Sequence, residues 1–466
     1  MKLTHTLTIL GVPLCAQLAA GALISVPNKI PRLPAHQVSS RAGGNTRRDS
    51  NYIGSYGGTI NSSVVQYPLS ADAEFSFLLT EALSLANNKG IAVSEVLRIA
   101  SQIVPGDFDS FFNEFYWMGE QIHKQALAAK TVVSAREAYF RASSYYRMSG
   151  FFLTGNSSDP RLYGPWQQAL DDFHMAIALQ DQPGQRFTVT GPGYTIPGYF
   201  WKTHKGNCTK APTVIVGNGY DAPQEDIWHQ LGREILDRGW NFVTYEGPGQ
   251  PTVRRQQKLG FTPEWWNVVT PVVDYLSRRH DVDMDNLSLV GISFGGVLAP
   301  LAASREPRLK AVMSVDGLTN FQDIVLEQLG PFYDTYKAGN ATAFDIAIQE
   351  ALPFFPTSGR WALNQGLWSF DTESPYDFVN QTGAYKLTPS VVGNISGHGW
   401  VGKGENDTVL PGQELDLAQL YNQSGKHNAT FHYFPSNLGA GLHCQMGAEP
   451  LLSQVAFDWL DGIFSL

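Results

Sequence analysis

Charge is sparse in this chain. Only 16% of its 466 residues are charged and the net charge is −9, so no basic run is available to neutralise a phosphate backbone. Nucleic acid is therefore not an expected partner. Cysteine is nearly absent, with only Cys15, Cys208 and Cys444 present. None of them forms a C-x-x-C pair and no His-Glu-x-x-His sequence occurs, so no metal centre is expected. There is no phosphate loop ending in Lys-Ser/Thr, nor a G-x-G-x-x-G opening a helix, and hence no cofactor is expected. No apolar run reaches the roughly 20 residues of a membrane helix, which argues against a membrane span.

The N-terminus runs from Met1-Lys2-Leu3 through a short apolar stretch to Ala20-Gly21-Ala22. This is the charged, apolar and small-residue order of a cleaved signal peptide, assigned to residues 1–22, and it implies a secreted or secretory-pathway protein. Ten Asn-x-Ser/Thr sequons between Asn61 and Asn428 fit that route. Asn286, at the start of a strand, and Asn406, inside a candidate catalytic loop, are the two least suited to carry glycans. Cys15 falls in the leader. That leaves Cys208 and Cys444 either as one disulfide or as two buried thiols.

Hydrophobic residues make up 43% of the chain, enough for one large domain with insertions or for two domains. Residues 23–66 are rich in Pro, Ser, Gly and Arg without apolar periodicity, as expected of a linker or propeptide. Arg47-Arg48 within it is a candidate processing site or a solvated charge pair. Residues 67–185 show helical spacing, as in Phe75, Leu78, Leu79 and Leu83, and predict a helical cap. Its aromatic stretch from Tyr139 to Phe152 reads as core or as cavity lining.

From residue 186 short apolar runs take over. Arg186–Val189 and Ile196–Trp201 read as a hairpin. Thr213–Val216, Asn241–Tyr245, Leu287–Val290 and Ala311–Val315 alternate with helical segments, which predicts a mostly parallel sheet with helices on both faces. This α/β core spans 186–317 and resumes over 386–466 with Gly399–Gly402, Thr430–Phe434 and a last helix, Pro450–Phe464. Residues 318–385, rich in Phe, Trp and Pro, break the rhythm and read as a lid insertion.

Gly291-Ile292-Ser293-Phe294-Gly295 follows the strand Leu287–Val290 and opens the small-residue helix Gly296–Ala303. A Gly-x-Ser-x-Gly turn needs small residues because strand passes into helix abruptly, holding the serine strained and exposed. A serine nucleophile needs a histidine base oriented by a carboxylate, in the chain order Ser, acid, His. Asp407, in Gly404-Glu405-Asn406-Asp407, and His443, in Gly441-Leu442-His443-Cys444-Gln445, stand in loops after strands in that order. Asp316 is the rival acid, and His398 and His432 are the rival histidines.

Carbonyl addition also needs two backbone N–H donors for the oxyanion. Phe294, next to the nucleophile, is the candidate for the first. Tyr220, in Gly217-Asn218-Gly219-Tyr220-Asp221, is the candidate for the second, with a plain turn as the alternative. Gly219, Asp221 and Glu246, the last in Glu246-Gly247-Pro248-Gly249-Gln250, lie at the carboxyl edge of the sheet, where α/β folds bind ligands, and are the candidate substrate-binding residues.

Together, Tyr245 to Gln250, the Ser293 elbow, Glu405-Asn406-Asp407 with Pro411-Gly412, and Gly441 to Gln445 followed by Trp459-Leu460-Asp461 resemble a family of α/β-hydrolases with an N-terminal helical cap. That family includes fungal hydrolases of pigment and mycotoxin pathways, fusarin-type enzymes among them, and the bacterial 2,6-dihydropseudooxynicotine hydrolase. The resemblance implies a Ser293–Asp407–His443 triad acting on a small hydrophobic metabolite at an ester, a lactone or a C–C bond beside a ketone. Departures from the pattern are the signal peptide and the run Ser396-Gly397-His398-Gly399-Trp400. A secreted broad-specificity esterase or peptidase, and a catalytically silent binding protein, are the competing readings. Nothing in the sequence fixes the oligomeric state, and a dimer is compatible with it.

Overall fold

A computed structural model of the chain describes residues 67–205, 209–409, 412–424 and 429–466. The expected signal peptide, the linker with Arg47-Arg48, and Cys208 lie outside the described residues.

Each of the expected strands is present: β1 (Gln185–Gly191), β2 (Tyr194–Trp201), β3 (Ala211–Gly217), β4 (Asn241–Tyr245), β5 (Val282–Ile292), β6 (Ala311–Val315), β7 (His398–Gly404) and β8 (Thr430–Phe434). They form one sheet in the order β1-β2-β4-β3-β5-β6-β7-β8. The β1–β2 hairpin is antiparallel and joins β4 antiparallel. All pairings from β4 to β8 are parallel.

Parallel strands must be apolar on both faces, and successive side chains alternate between them. Thus Val214 and Val216 of β3 enter one core cluster while Ile215 enters the other. Val290 and Ile292 oppose Leu289 in the same way, as Met313 opposes Val312.

The first cluster joins one sheet face to the C-terminal helix Glu449–Phe464 and to the helices between Ala73 and Ala178. Asp72, Asp107 and Thr131 accept backbone N–H bonds at the starts of three of those helices, satisfying donors that a helix N-terminus leaves unpaired. The stretch from Tyr139 to Phe152 resolves largely as core: Tyr139, Phe140, Tyr145, Tyr146, Phe151 and Phe152 are all buried. The second cluster holds helices Trp266–Ser277 and Gly295–Ala303 on the opposite face. It also takes Phe321, Phe370, Phe378 and Tyr385 from the helical insertion between β6 and β7.

Strand register positions the site. Gly217 lies opposite both Tyr245 and Gly291, and Ile292 lies opposite Val315. Residues leaving β3, β4, β5 and β6 therefore emerge at one level: Asn218-Gly219, Glu246, Ser293 and Asp316. Among the described residues no helix is long and apolar enough to cross a membrane.

Candidate active site

Ser293 has φ 59°, a left-handed conformation that disfavours any residue with a Cβ. The tight turn around it is possible because Gly291 lacks a side chain: a Cβ there would sit 1.9 Å from the Gly295 carbonyl oxygen. The Ser293 amide donates to Val315 O at 3.0 Å, tying the elbow to the neighbouring strand. Asp316, Cys444 and Gln445 also have positive φ, so non-glycine strain gathers around this one site.

Ser293, His443 and Asp407 are brought into one hydrogen-bonded chain. His443 Nε2 lies 2.8 Å from Ser293 Oγ, and its Nδ1 lies 2.7 Å from Asp407 Oδ2. Burial opposes an imidazolium at His443, yet the Asp407 carboxylate carries its pKa well above the ordinary histidine value. The acid loop is locked to the histidine loop through the neighbours of Asp407. Glu405 accepts from Ser436 N at 2.7 Å, Asn406 Nδ2 donates to Ser436 Oγ at 2.6 Å, and Asn406 N donates to Gly441 O at 2.8 Å. The side-chain amide that a glycan at Asn406 needs is thus engaged. The same holds at Asn286, whose Nδ2 donates to Asp283 at 2.7 Å.

Asp316 lies close as well, with Oδ2 3.5 Å from His443 Nδ1. Its oxygens accept from Cys444 N, from Gln445 Nε2 at 3.0 Å and from Gly404 N at 3.2 Å. Burial and the Asp407 charge raise its pKa to about 7. His432 sits in β8 edge-on to Phe434, and His398 opens β7. Neither is hydrogen-bonded to Ser293.

Gly219 packs on the elbow. A Cβ there would lie 2.7 Å from Phe294 N and 3.0 Å from Ser293 Cβ, so the Tyr220 peptide that follows sits beside the Phe294 amide. Among the described residues, the Phe294 and Tyr220 amides donate to no protein acceptor, which suits an oxyanion pocket. The loop is held by Gln250, whose Nε2 donates to Asn218 O at 2.7 Å, and by Gln365, whose Nε2 donates to Tyr220 O at 2.9 Å. The Tyr220 hydroxyl donates to Ala362 O at 3.0 Å, fastening the loop to the insertion.

Glu246 takes a different place from the one its edge position suggests. It is fully buried, and its oxygens accept from Gln224 N at 3.0 Å and Thr252 N at 2.6 Å. It holds two chain segments together. Asp221, by contrast, faces a cavity, and burial raises its pKa to about 7.

Two further groups escaped the sequence reading. Glu74, on the first described helix, lies within electrostatic reach of Asp221 and His443, and burial followed by Asp221 raises its pKa to about 7. Arg147 pairs with Asp226 and, at 3.1 Å, with Glu81. Its only signal was a cation set in the apolar run Tyr145-Tyr146-Arg147-Met148.

Asp316, His443 and Cys444, and likewise Asp316, Asp407 and Glu414, bring ligand-type atoms within 4.8 Å of one another. These carboxylates are already engaged by backbone amides, His443 and Lys403. Cys444 is a buried free thiol, its pKa pushed up to about 12 by burial.

No family model matches the chain. It is similar to the α/β hydrolase psoB of Aspergillus fumigatus, with 29% identity over 84% of this chain and 93% of that protein. It is also similar to the 20-hydroxy-prefusarin hydrolase of Gibberella moniliformis, with 26% identity over 84% of this chain and 97% of that protein. Among solved structures, 2,6-dihydroxy-pseudo-oxynicotine hydrolase superposes with a TM-score of 0.64 at 18% identity, covering 83% of this chain and 95% of that one. That likeness shows the fold, and the sequence relatives indicate a hydrolase.

Proposed function

We propose that this chain, an α/β hydrolase by fold and by its fungal relatives, is a serine hydrolase acting on a carbonyl group of a small hydrophobic metabolite. The observation that carries the reading is the bridge of His443 between Ser293 at 2.8 Å and Asp407 at 2.7 Å. His443 takes the Ser293 proton as Oγ adds to the carbonyl carbon, and the Asp407 carboxylate stabilises the resulting imidazolium. The oxyanion is held by the Phe294 and Tyr220 amides. Collapse expels an alkoxide, or a stabilised carbanion from a ketone, which His443 protonates. Water, deprotonated by His443, then releases the acyl group from Ser293.

Aromatic rings favour a hydrophobic substrate. Tyr220 packs with Phe261, Phe294, Phe321, Trp361 and Phe370, giving the elbow an apolar roof between core and insertion. We read the helices before β1 as a cap and the insertion as a lid. The relatives favour an ester, lactone or ketone of the polyketide kind, in fungal secondary metabolism. The leader and sequons favour the secretory pathway.

The test is labelling by a fluorophosphonate probe. Wild-type protein is expected to label and Ser293→Ala protein to remain blank. Equal labelling of both, or of neither, removes Ser293 as nucleophile and revives the binding-protein reading. Rapid cleavage of peptides in a substrate panel would overturn the metabolite reading in favour of a secreted peptidase.

A further inference from the structure

Beyond the oxyanion loop, the cap-side helices and the insertion enclose a cavity of about 20 Å³. That is room for one or two waters, or for the two oxygens of one carboxylate. Asp221 and Gln365 line it, so it adjoins the loop whose Gly219 touches Ser293.

Its wall is rich in donors that have nothing to bond. Arg147 Nε and Nη1, Thr154 Oγ1 and Trp166 Nε1 are buried without a partner, and all three residues line the cavity. An unpaired buried polar group costs about 1–3 kcal/mol, more when charged, so several converging on one space mark a place for an acceptor. Arg255 lines the same space, its guanidinium 4.1 Å from the centre of the Trp166 ring. Its Nε and Nη1 donate to the backbone carbonyls of Leu162 and Pro251, and among the described residues it makes no ion pair. Burial draws its pKa down to about 10, although the buried Glu246 carboxylate acts on it in the opposite sense. Arg147 differs, because Glu81 and Asp226 pair with its Nη2 alone.

We propose that this cavity is a carboxylate subsite, in which Arg255, Trp166, Thr154 and the free edge of Arg147 hold an anionic oxygen group at the end of the substrate remote from the scissile carbonyl. The subsite rests on the serine hydrolase reading for its substrate and sharpens it: the metabolite is apolar along its length and acidic at one end. Guanidinium groups suit this task because their planar donors match two carboxylate oxygens. Near neutrality Asp221 is part protonated, which lessens its repulsion of such a ligand.

The test compares p-nitrophenyl half-esters of straight-chain diacids, four to ten carbons long, with p-nitrophenyl esters of the matching monoacids on the full chain. At one length the wild type is expected to favour the half-ester by about tenfold in kcat/KM, through KM, as loss of a charged hydrogen bond at this site implies. Arg255→Gln is expected to erase the preference and Trp166→Phe, which removes only the N–H, to reduce it about threefold. If a thermal melt shows Arg255→Gln unfolded, Trp166→Phe carries the test. No preference at any length, or one that survives the substitution in folded protein, overturns the subsite. Should no ester be cleaved and the fluorophosphonate fail to label Ser293, the hydrolase reading falls separately. Adipate binding by calorimetry then decides: a site lost in Arg255→Gln keeps the proposal, and no site ends it.

Discussion

Two neighbouring loops, after β6 and after β7, each deliver a buried aspartate to Nδ1 of His443, and they do unlike things there. Asp407 lies 2.7 Å from the imidazole and spends its other oxygen on Val409 N within its own loop. Asp316 lies 3.5 Å away and distributes its oxygens over Gly404, Cys444 and Gln445, which belong to two other segments. Both acids lie beside the histidine, but only Asp407 is hydrogen-bonded to it. What else each carboxylate holds sharpens the difference: Asp407 bonds the ring, while Asp316 bonds the chain that carries the ring.

That division has measurable edges. Asp407→Asn is expected to lower kcat on an activated ester by a factor on the order of 10⁴ with little change in melting temperature. If Asp316→Asn does so instead, the roles are reversed. Asp316→Ala, which leaves the Cys444 and Gly404 amides unpaired, is expected to destabilise the fold by about 1–3 kcal/mol in denaturant titrations. Unchanged stability would remove its positioning role.

The pH profile sharpens the contrast. In the proposed mechanism His443 serves as base only when neutral, and Asp407 raises its pKa, so kcat/KM should climb with pH along an acid limb lying above 6.5. Asp407→Asn removes the charge that favours the imidazolium and should move that limb down. A wild-type limb at or below 6.5 contradicts the coupling. The smallest effect is expected at Gln250, which touches neither acid: Gln250→Leu should lower kcat about tenfold by loosening the loop that carries the Tyr220 amide.

The strands were legible because each is a short apolar run with turn residues at its ends, and burial on both faces leaves such a run few other structures to adopt. Ser293, Asp407 and His443, which hydrogen bonds join in the structure, could be proposed as a set because the chain order of their loops is set by the sheet. Asp316 remained a rival in the sequence, since its position after a strand is equivalent to that of Asp407. Glu246 carries the same ambiguity: a strand-end carboxylate reads as a ligand contact, and in the structure its oxygens accept from two amides, Gln224 N and Thr252 N. Glu74, Arg147 and Arg255 were illegible because packing between distant segments, and no local pattern, brings them beside the loop at Tyr220.

The helices before β1 share an unbroken hydrophobic interior with the sheet and with the last helix of the chain, from Phe75 through Trp228 and Phe242 to Phe464. Such a layer is not a detachable cassette. A chimera that exchanged residues 67–185 for a relative's would strip Trp201 of its Phe173 and Gln180 partners unless both sides of that seam moved together. The segment between β6 and β7 is no freer, since Phe321, Phe370, Phe378 and Tyr385 lie in the core on the opposite face of the sheet.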